Sequence, residues 1–290
     1  YPQAAADCGV FFTPITFRGL MKPRFCDFTL LRPTALWHLL MPGLGLLALL
    51  LSAATPAHTK LVVNRQSQQN AVSIETSLFG PVQVQLNNSK SGELLYEAVL
   101  DGPGVFEAAG LPPASLNSLV LQAVPGKPAN ATPFTYRIPF SGYADWSISQ
   151  GFHGQASHDD TLNEYAVDFV IALGTPVLAA RTGVVMEVID EYPDRGRAPR
   201  RSDLDKANTI RILHEDGSMA VYGHLLQDSA VVTPGQWLVD GTVIAQSGNS
   251  GFSNGPHLHF AVQRNAGMQL ESIPFRMQSV NGMVSMEPDR

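Results

Sequence analysis

From Lys60 to about Phe140, apolar residues come in short runs rich in branched side chains: Leu61-Val62-Val63, Val72-Ser73-Ile74, Val82 to Leu86, Leu94 to Leu100 and Ser118 to Ala123. Clusters of Gly, Pro and Asn separate these runs, which predicts short strands joined by turns. Several such strands at close spacing suggest a small antiparallel sandwich over residues 58–140. Val124 to Asn130 is turn-rich and reads as a connector or as a loop inside the sandwich, because Thr135 to Phe140 alternates as one more strand. No cluster of titratable residues falls in this part, so no chemistry is expected of it.

The pattern beyond residue 141 is again that of strands. Tyr165, Val167, Phe169 and Ile171 make an apolar face, leaving Asp168 beside Ala166 on the other. Pro176 to Ala180 and Val184 to Ile189 read as a hairpin about Thr182-Gly183. Thr209 to His214 and Met219 to Leu225 read as another about Asp216-Gly217. In its second strand Ala220, Tyr222 and His224 share a face. The charged stretch Asp190 to Lys206 reads as a solvated tip. Pro234-Gly235, Asp240-Gly241 and the loop Ser247-Gly248-Asn249-Ser250-Gly251 punctuate the remainder, with a strand at Val243-Ile244-Ala245. Last comes Gly255-Pro256-His257-Leu258-His259-Phe260. If extended, it points His257 and His259 to one side, with their Cα atoms about 7 Å apart. Almost no helical period occurs, and the fold class is all-β: a small N-terminal sandwich followed by a compact antiparallel domain over residues 141–290 with a C-terminal tail.

The front end differs. After Met21 come Lys22, Arg24 and Arg32, an apolar run from Ala35 to Leu51, and then Ser52, Ala53, Ala54 and Ala57. Basic, apolar, small is the order of a secretory signal, so residues 1–57 are expected to be a leader cut near Ala54 or Ala57. The alternative is an uncleaved anchor, the one route by which this chain would engage a membrane. An exported protein is the expectation. The only two cysteines, Cys8 and Cys26, lie before that cut, so the mature chain has no disulfide and no thiol nucleophile. A formal charge of −6 over 290 residues argues against a nucleic-acid partner.

Candidate chemistry rests on histidines and one carboxylate. Asp168 inside an apolar strand needs a partner, and a cation is one answer, backbone amides another. His214-Glu215 begins like the helical zinc-protease motif, but no second histidine follows at the required spacing. His214 and His153 read as surface and loop residues. Tyr222 either lines a groove or packs.

Taken in order, six blocks resemble the LytM/lysostaphin family of zinc metallopeptidases: Ser157-His158, Tyr165 to Phe169, Gly174-Thr175-Pro176-Val177, Asn208 to His214, Tyr222-Gly223-His224-Leu225, and Gly255 to Phe260. The resemblance covers about residues 140–265. It implies a β-domain with an active-site groove and one Zn²⁺ held by His158, Asp168 and His259, with His224 and His257 as the catalytic pair. The family's first histidine stands four residues before the aspartate, where this chain has Glu164. A longer loop is expected to carry His158 instead, with Glu164 and His153 as substitutes. Such a set suits metal-assisted amide hydrolysis, with three protein ligands, an open position, and an imidazole to move protons. His257 is expected to be chiefly the base, and His224 to share that work or stabilise the oxyanion. The implied substrate is the peptide part of bacterial peptidoglycan, cut by a periplasmic or cell-envelope endopeptidase. A catalytically inactive relative that binds the wall or activates another hydrolase is the alternative, and a carboxypeptidase acting on similar peptides is a third.

Overall fold

The computed structural model of the chain describes residues 59–64, 71–141, 144–194 and 201–286. The expected leader, with Met21, Cys8 and Cys26, lies outside the described residues. Apart from two short 3-10 turns, Pro113–Ser115 and Arg201–Asp203, the regular structure of the described residues is all strand. No helix among the described residues is long and apolar enough to cross a membrane.

The first part consists of two three-stranded sheets. One has Ala71–Thr76 between Thr59–Asn64 and Gly104–Glu107, and the other has Pro81–Asn88 between Leu94–Asp101 and Leu119–Pro125. Alternation accounts for both: Val72 and Ile74 from one sheet and Val82, Val84, Leu86 and Leu100 from the other bury into one cluster. Met186 and Met219, far along the chain, also enter this cluster.

The larger sheet has eight strands. Across it run Trp237–Leu238, Gly183–Ile189, Thr209–Leu213, Met219–Gly223, Leu258–Asn265, Val167–Val170 and Ser147–Gln150, with Leu270–Ser272 added to Leu258–Asn265. Its inner face carries Val167, Phe169, Ile210, Ile212, Ala220, Tyr222, Leu258 and Phe260, all buried. Tyr222 is wholly enclosed, and its hydroxyl accepts the Ala180 N–H at 2.7 Å. Packing, not groove-lining, is therefore its role.

Four expectations change. Pro176–Leu178 does not form a hairpin with Gly183–Ile189; it pairs with Val243–Gln246 in a separate two-stranded sheet. A tight hairpin needs positive φ in its central residues, and neither Thr182 nor Gly183 adopts it. Gly183 serves close approach, since a Cβ there would collide with the Leu213 carbonyl. Second, Thr135–Arg137 pairs in parallel with Arg276–Ser279 and belongs with the later strands. The reason is aromatic: Tyr136 meets Phe260 and Phe275, and Phe140 meets Phe169 and Trp146, all edge-on within 6.0 Å. Third, the charged stretch 190–206 is solvated only in part. Asp203 is buried, and Asp194 Oδ1 accepts the Asn249 N–H at 3.0 Å.

His214, expected at the surface, is also buried. It closes the Asp216-Gly217 turn, where Gly217 has φ +81°, and its ring lies edge-on to Tyr136 at 5.6 Å. Its Nδ1–H donates to the Thr182 carbonyl at 2.9 Å. Burial, helped by nearby Arg181, pushes its pKa down to about 4 from the ordinary 6.5. The unfolded chain therefore takes up a proton near pH 6.5 that the folded one refuses until about pH 4. This contribution to stability is complete above pH 6.5 and is lost as pH falls through that window. It amounts to about 3 kcal/mol at most. In urea unfolding, His214→Asn is expected to shrink the stability difference between pH 7 and pH 4.5 by about 2–3 kcal/mol.

Candidate metal centre

Register brings the site together. Val167–Val170 and Leu258–Asn265 are antiparallel neighbours with Asp168 opposite His259, and His259 in turn lies opposite Gly223. Because Val167 and Phe169 point into the core, Asp168 must point to the other face, where His259 meets it. His259 Nδ1 stands 2.9 Å from Asp168 Oδ1. The Gly151–His158 loop folds over this face and delivers a fully buried His158, whose Nε2 stands 3.3 Å from the same oxygen. The three ligand atoms lie within 4.8 Å of one another, and among the described residues no other group of three His, Cys, Asp or Glu side chains converges in this way.

The protons identify what belongs there. His158 Nδ1 is 2.9 Å from the Gly151 carbonyl, which can only accept, so Nδ1 carries the hydrogen in the neutral ring. That leaves Nε2 as a lone pair, buried, without a donor, facing a carboxylate oxygen. Two acceptors at this distance call for a positive charge between them. In the metal-free protein a proton can meet that need. Burial, the largest single influence, pushes the His158 pKa down, but the hydrogen bond to Asp168, the charge of that carboxylate and the Gly151 carbonyl together outweigh it and the net shift is upward. Burial would raise the Asp168 pKa, yet hydrogen bonds from His158 and His259 and the nearby His257 hold it well below the usual carboxylate range. Two imidazole nitrogens and an ionised carboxylate, with no thiolate, are a donor set that suits zinc with one position left open.

His257 and His224 stand beside this cluster. His257 precedes the strand, its Nδ1–H donating to the Gly255 carbonyl at 2.8 Å with Ser253 Oγ at 3.1 Å. Its Nε2 therefore presents a lone pair, 3.9 Å from Asp168 Oδ1. His224 does not continue the alternation of its strand, which ends at Gly223. Its φ of +59° turns the ring out of the core face that Tyr222 occupies. Such a backbone costs of order 1–3 kcal/mol for a residue with a Cβ and persists only when surroundings impose it. Here the Nδ1–H bond to the Ser250 carbonyl at 2.7 Å does so. Buried Asn208 ties the next residue in place, its Nδ2 donating to the Leu225 carbonyl at 3.1 Å and its backbone N–H to Ser250 Oγ at 3.0 Å. The His224 and His257 rings are 4.5 Å apart between centroids. Burial, and then repulsion from His257 and His259, push the His224 pKa down to about 3, so it stays neutral near pH 7.

Glu164 and His153, the possible substitutes for His158, pair with each other at 3.3 Å on exposed surface and do not join the cluster. One participant was not recognisable in the sequence. Gln150 Nε2 donates to Asp168 Oδ2 at 3.1 Å and to Ser157 Oγ at 2.8 Å, while its Oε1 accepts the N–H groups of Ala156 and Ser157. One amide thus fixes both the carboxylate and the loop that carries His158. Gly154 leaves it room, since a Cβ there would collide with the Gln150 side chain. The available signal was the short alternation Trp146 to Gln150, a strand whose polar end a bulge sets opposite Asp168. Outer groups of this kind are typically worth about 10–100-fold in metal affinity. Gln150→Leu is expected to weaken zinc retention by that factor in chelator competition, with a smaller change in metal-free melting temperature.

Residues 163–271 match peptidase family M23. The chain is 29% identical over 195 residues to an uncharacterized metalloprotease of Haemophilus influenzae, covering 65% of this chain and 38% of that protein. It is 32% identical over 118 residues to the peptidoglycan DD-endopeptidase ShyA of Vibrio cholerae, covering 40% of this chain and 24% of that one. The chain thus spans well under half the length of these curated relatives. Among solved structures, it resembles the catalytic domain of the antimicrobial peptidase lysostaphin from Staphylococcus simulans with 24% identity and a TM-score of 0.31, over 45% of this chain and 88% of that one.

Proposed function

We propose that the chain, whose residues 163–271 match peptidase family M23, is an exported zinc endopeptidase that hydrolyses amide bonds in peptidoglycan peptides. The observation that carries this reading is the meeting of His158 Nε2, Asp168 Oδ1 and His259 Nδ1 around one point, with two further imidazoles beside it. His158, Asp168 and His259 would hold the ion. When bound, zinc supplies a Lewis acid that polarises the scissile carbonyl and acidifies water.

The remaining work falls to the chain. His257, its Nδ1–H anchored on the Gly255 carbonyl, takes a proton at Nε2 and returns it to the leaving amine. His224 cannot give its one ring hydrogen to an oxyanion without losing the Ser250 carbonyl, and its lowered pKa keeps it neutral. Its assigned role is to accept a hydrogen bond at Nε2 and so orient the attacking water. The substrate class follows from the relatives: ShyA is a peptidoglycan endopeptidase. The basic, apolar and small order of residues 21–57 supports export to the periplasm or cell envelope.

The test is incubation of purified protein with peptidoglycan, with and without chelator, followed by mass spectrometry of the released ends. The proposal expects chelator-sensitive cleavage of internal amide bonds. Loss of terminal residues alone, or no release by zinc-loaded protein, would overturn it.

A further inference from the structure

We infer that a cavity beside Arg137 and Trp237, apart from the metal cluster, is a second binding site that takes a zwitterionic amino-acid head group bearing an apolar side chain. The inference goes beyond the proposed hydrolysis and does not rest on it. The cavity holds about 580 Å³ and is lined by, among others, Phe134, Arg137, Glu215, Trp237, Asp240 and Val280. That volume lies within the range of small-molecule pockets, roughly 300–1,000 Å³. None of the five histidine and aspartate residues of the candidate metal centre lines it.

The cavity contains two guanidinium groups, and only one is committed. Arg181 is held by Asp216 Oδ2 at 3.0 Å and lies 4.0 Å over the Phe134 ring. Arg137 makes no side-chain hydrogen bond or ion pair among the described residues, and its Nε is buried without a partner. A buried donor left unsatisfied is costly unless something else fills it. Its guanidinium lies against Gly241, whose missing Cβ leaves room for Nη1. Gly241 has φ +83°, a conformation suited to glycine.

The walls set the ligand's chemistry. Glu215 and Asp240 put negative charge in the same cavity as Arg137, which disfavours a simple anion, as Arg137 disfavours a simple cation. Among the described residues the Asp240 carboxylate has one hydrogen-bond contact, from the Thr182 hydroxyl at 3.4 Å. A ligand with a carboxylate for Arg137 and an ammonium for Asp240 or Glu215 satisfies both signs. Trp237 and Val280 are 63% and 61% exposed, leaving apolar surface for the ligand's side chain.

Leucine, N-acetylleucine and leucinamide separate these contributions, since the second lacks the ammonium and the third the carboxylate. With binding followed by calorimetry and tryptophan fluorescence, leucine is expected to saturate with a Kd of about 1 mM or below, a small-ligand affinity. Both analogues are expected to bind at least ~10-fold more weakly, as one lost charge-assisted contact implies. Arg137→Gln should weaken leucine by a similar factor, and so should Trp237→Ala, whose exposed position leaves folding intact if the arginine variant does not fold. Absence of saturation, equal binding of the three compounds, or unchanged leucine binding by folded Trp237→Ala would each overturn the inference.

Discussion

Asp168→Asn is expected to remove both metal and turnover. Asp168 Oδ1 is the point on which the cluster converges, at 2.9 Å from His259 Nδ1 and 3.3 Å from His158 Nε2. Asparagine keeps the shape and the Gln150 contact but not the negative charge that attracts a dication. Supporting groups alone are worth about 10–100-fold in metal affinity, so losing a ligand should cost more than about 100-fold. Zinc content after dialysis and amide hydrolysis should fall together. Folding should change as well, because Asp168 is ionised and paired in the metal-free protein. Its lowered pKa contributes stability above the ordinary carboxylate pKa of 3.8, lost as pH falls through the lower folded value. The variant's loss of stability should therefore be seen at neutral pH and fade in strong acid. Full zinc retention by Asp168→Asn would show that the ion is held elsewhere.

His257→Ala is expected to separate the two functions that Asp168→Asn loses together. His257 Nε2 lies 3.9 Å from Asp168 Oδ1, and its anchored Nδ1–H leaves Nε2 free as a base. General base catalysis is worth about 10²–10⁴-fold, and turnover should fall by that factor with zinc content unchanged. The loss should fall on kcat rather than on KM, since a proton acceptor acts chiefly in the transition state. Unchanged turnover would pass the base role to His224, which lies 4.5 Å away between ring centroids.

Much of this site is readable from local pattern because it sits on strands. Period-two alternation puts Asp168 opposite an apolar face and sends His257 and His259 the same way, and neither inference needs the tertiary fold. His224 is where alternation fails. The strand ends one residue before it, and the positive φ that aims its ring is imposed by the Ser250 carbonyl and Asn208, which come from other parts of the chain. Gln150 is harder still, since its importance lies in four hydrogen bonds to a loop and a neighbouring strand, and a lone glutamine advertises none of them. The burial of His214 and the pairing of Thr135–Arg137 with Arg276–Ser279 depend on aromatic packing between segments far apart in sequence. The all-β class, by contrast, follows from many short runs at once, so misplacing one of them leaves it unchanged.

The most direct measurement is anomalous diffraction at the zinc absorption edge from crystals of the zinc-loaded protein. The account predicts a single strong peak bonded to His158 Nε2, an Asp168 carboxylate oxygen and His259 Nδ1, with His224 and His257 near but not bonded to it. A peak between Glu164 and His153, or none after loading, would contradict it.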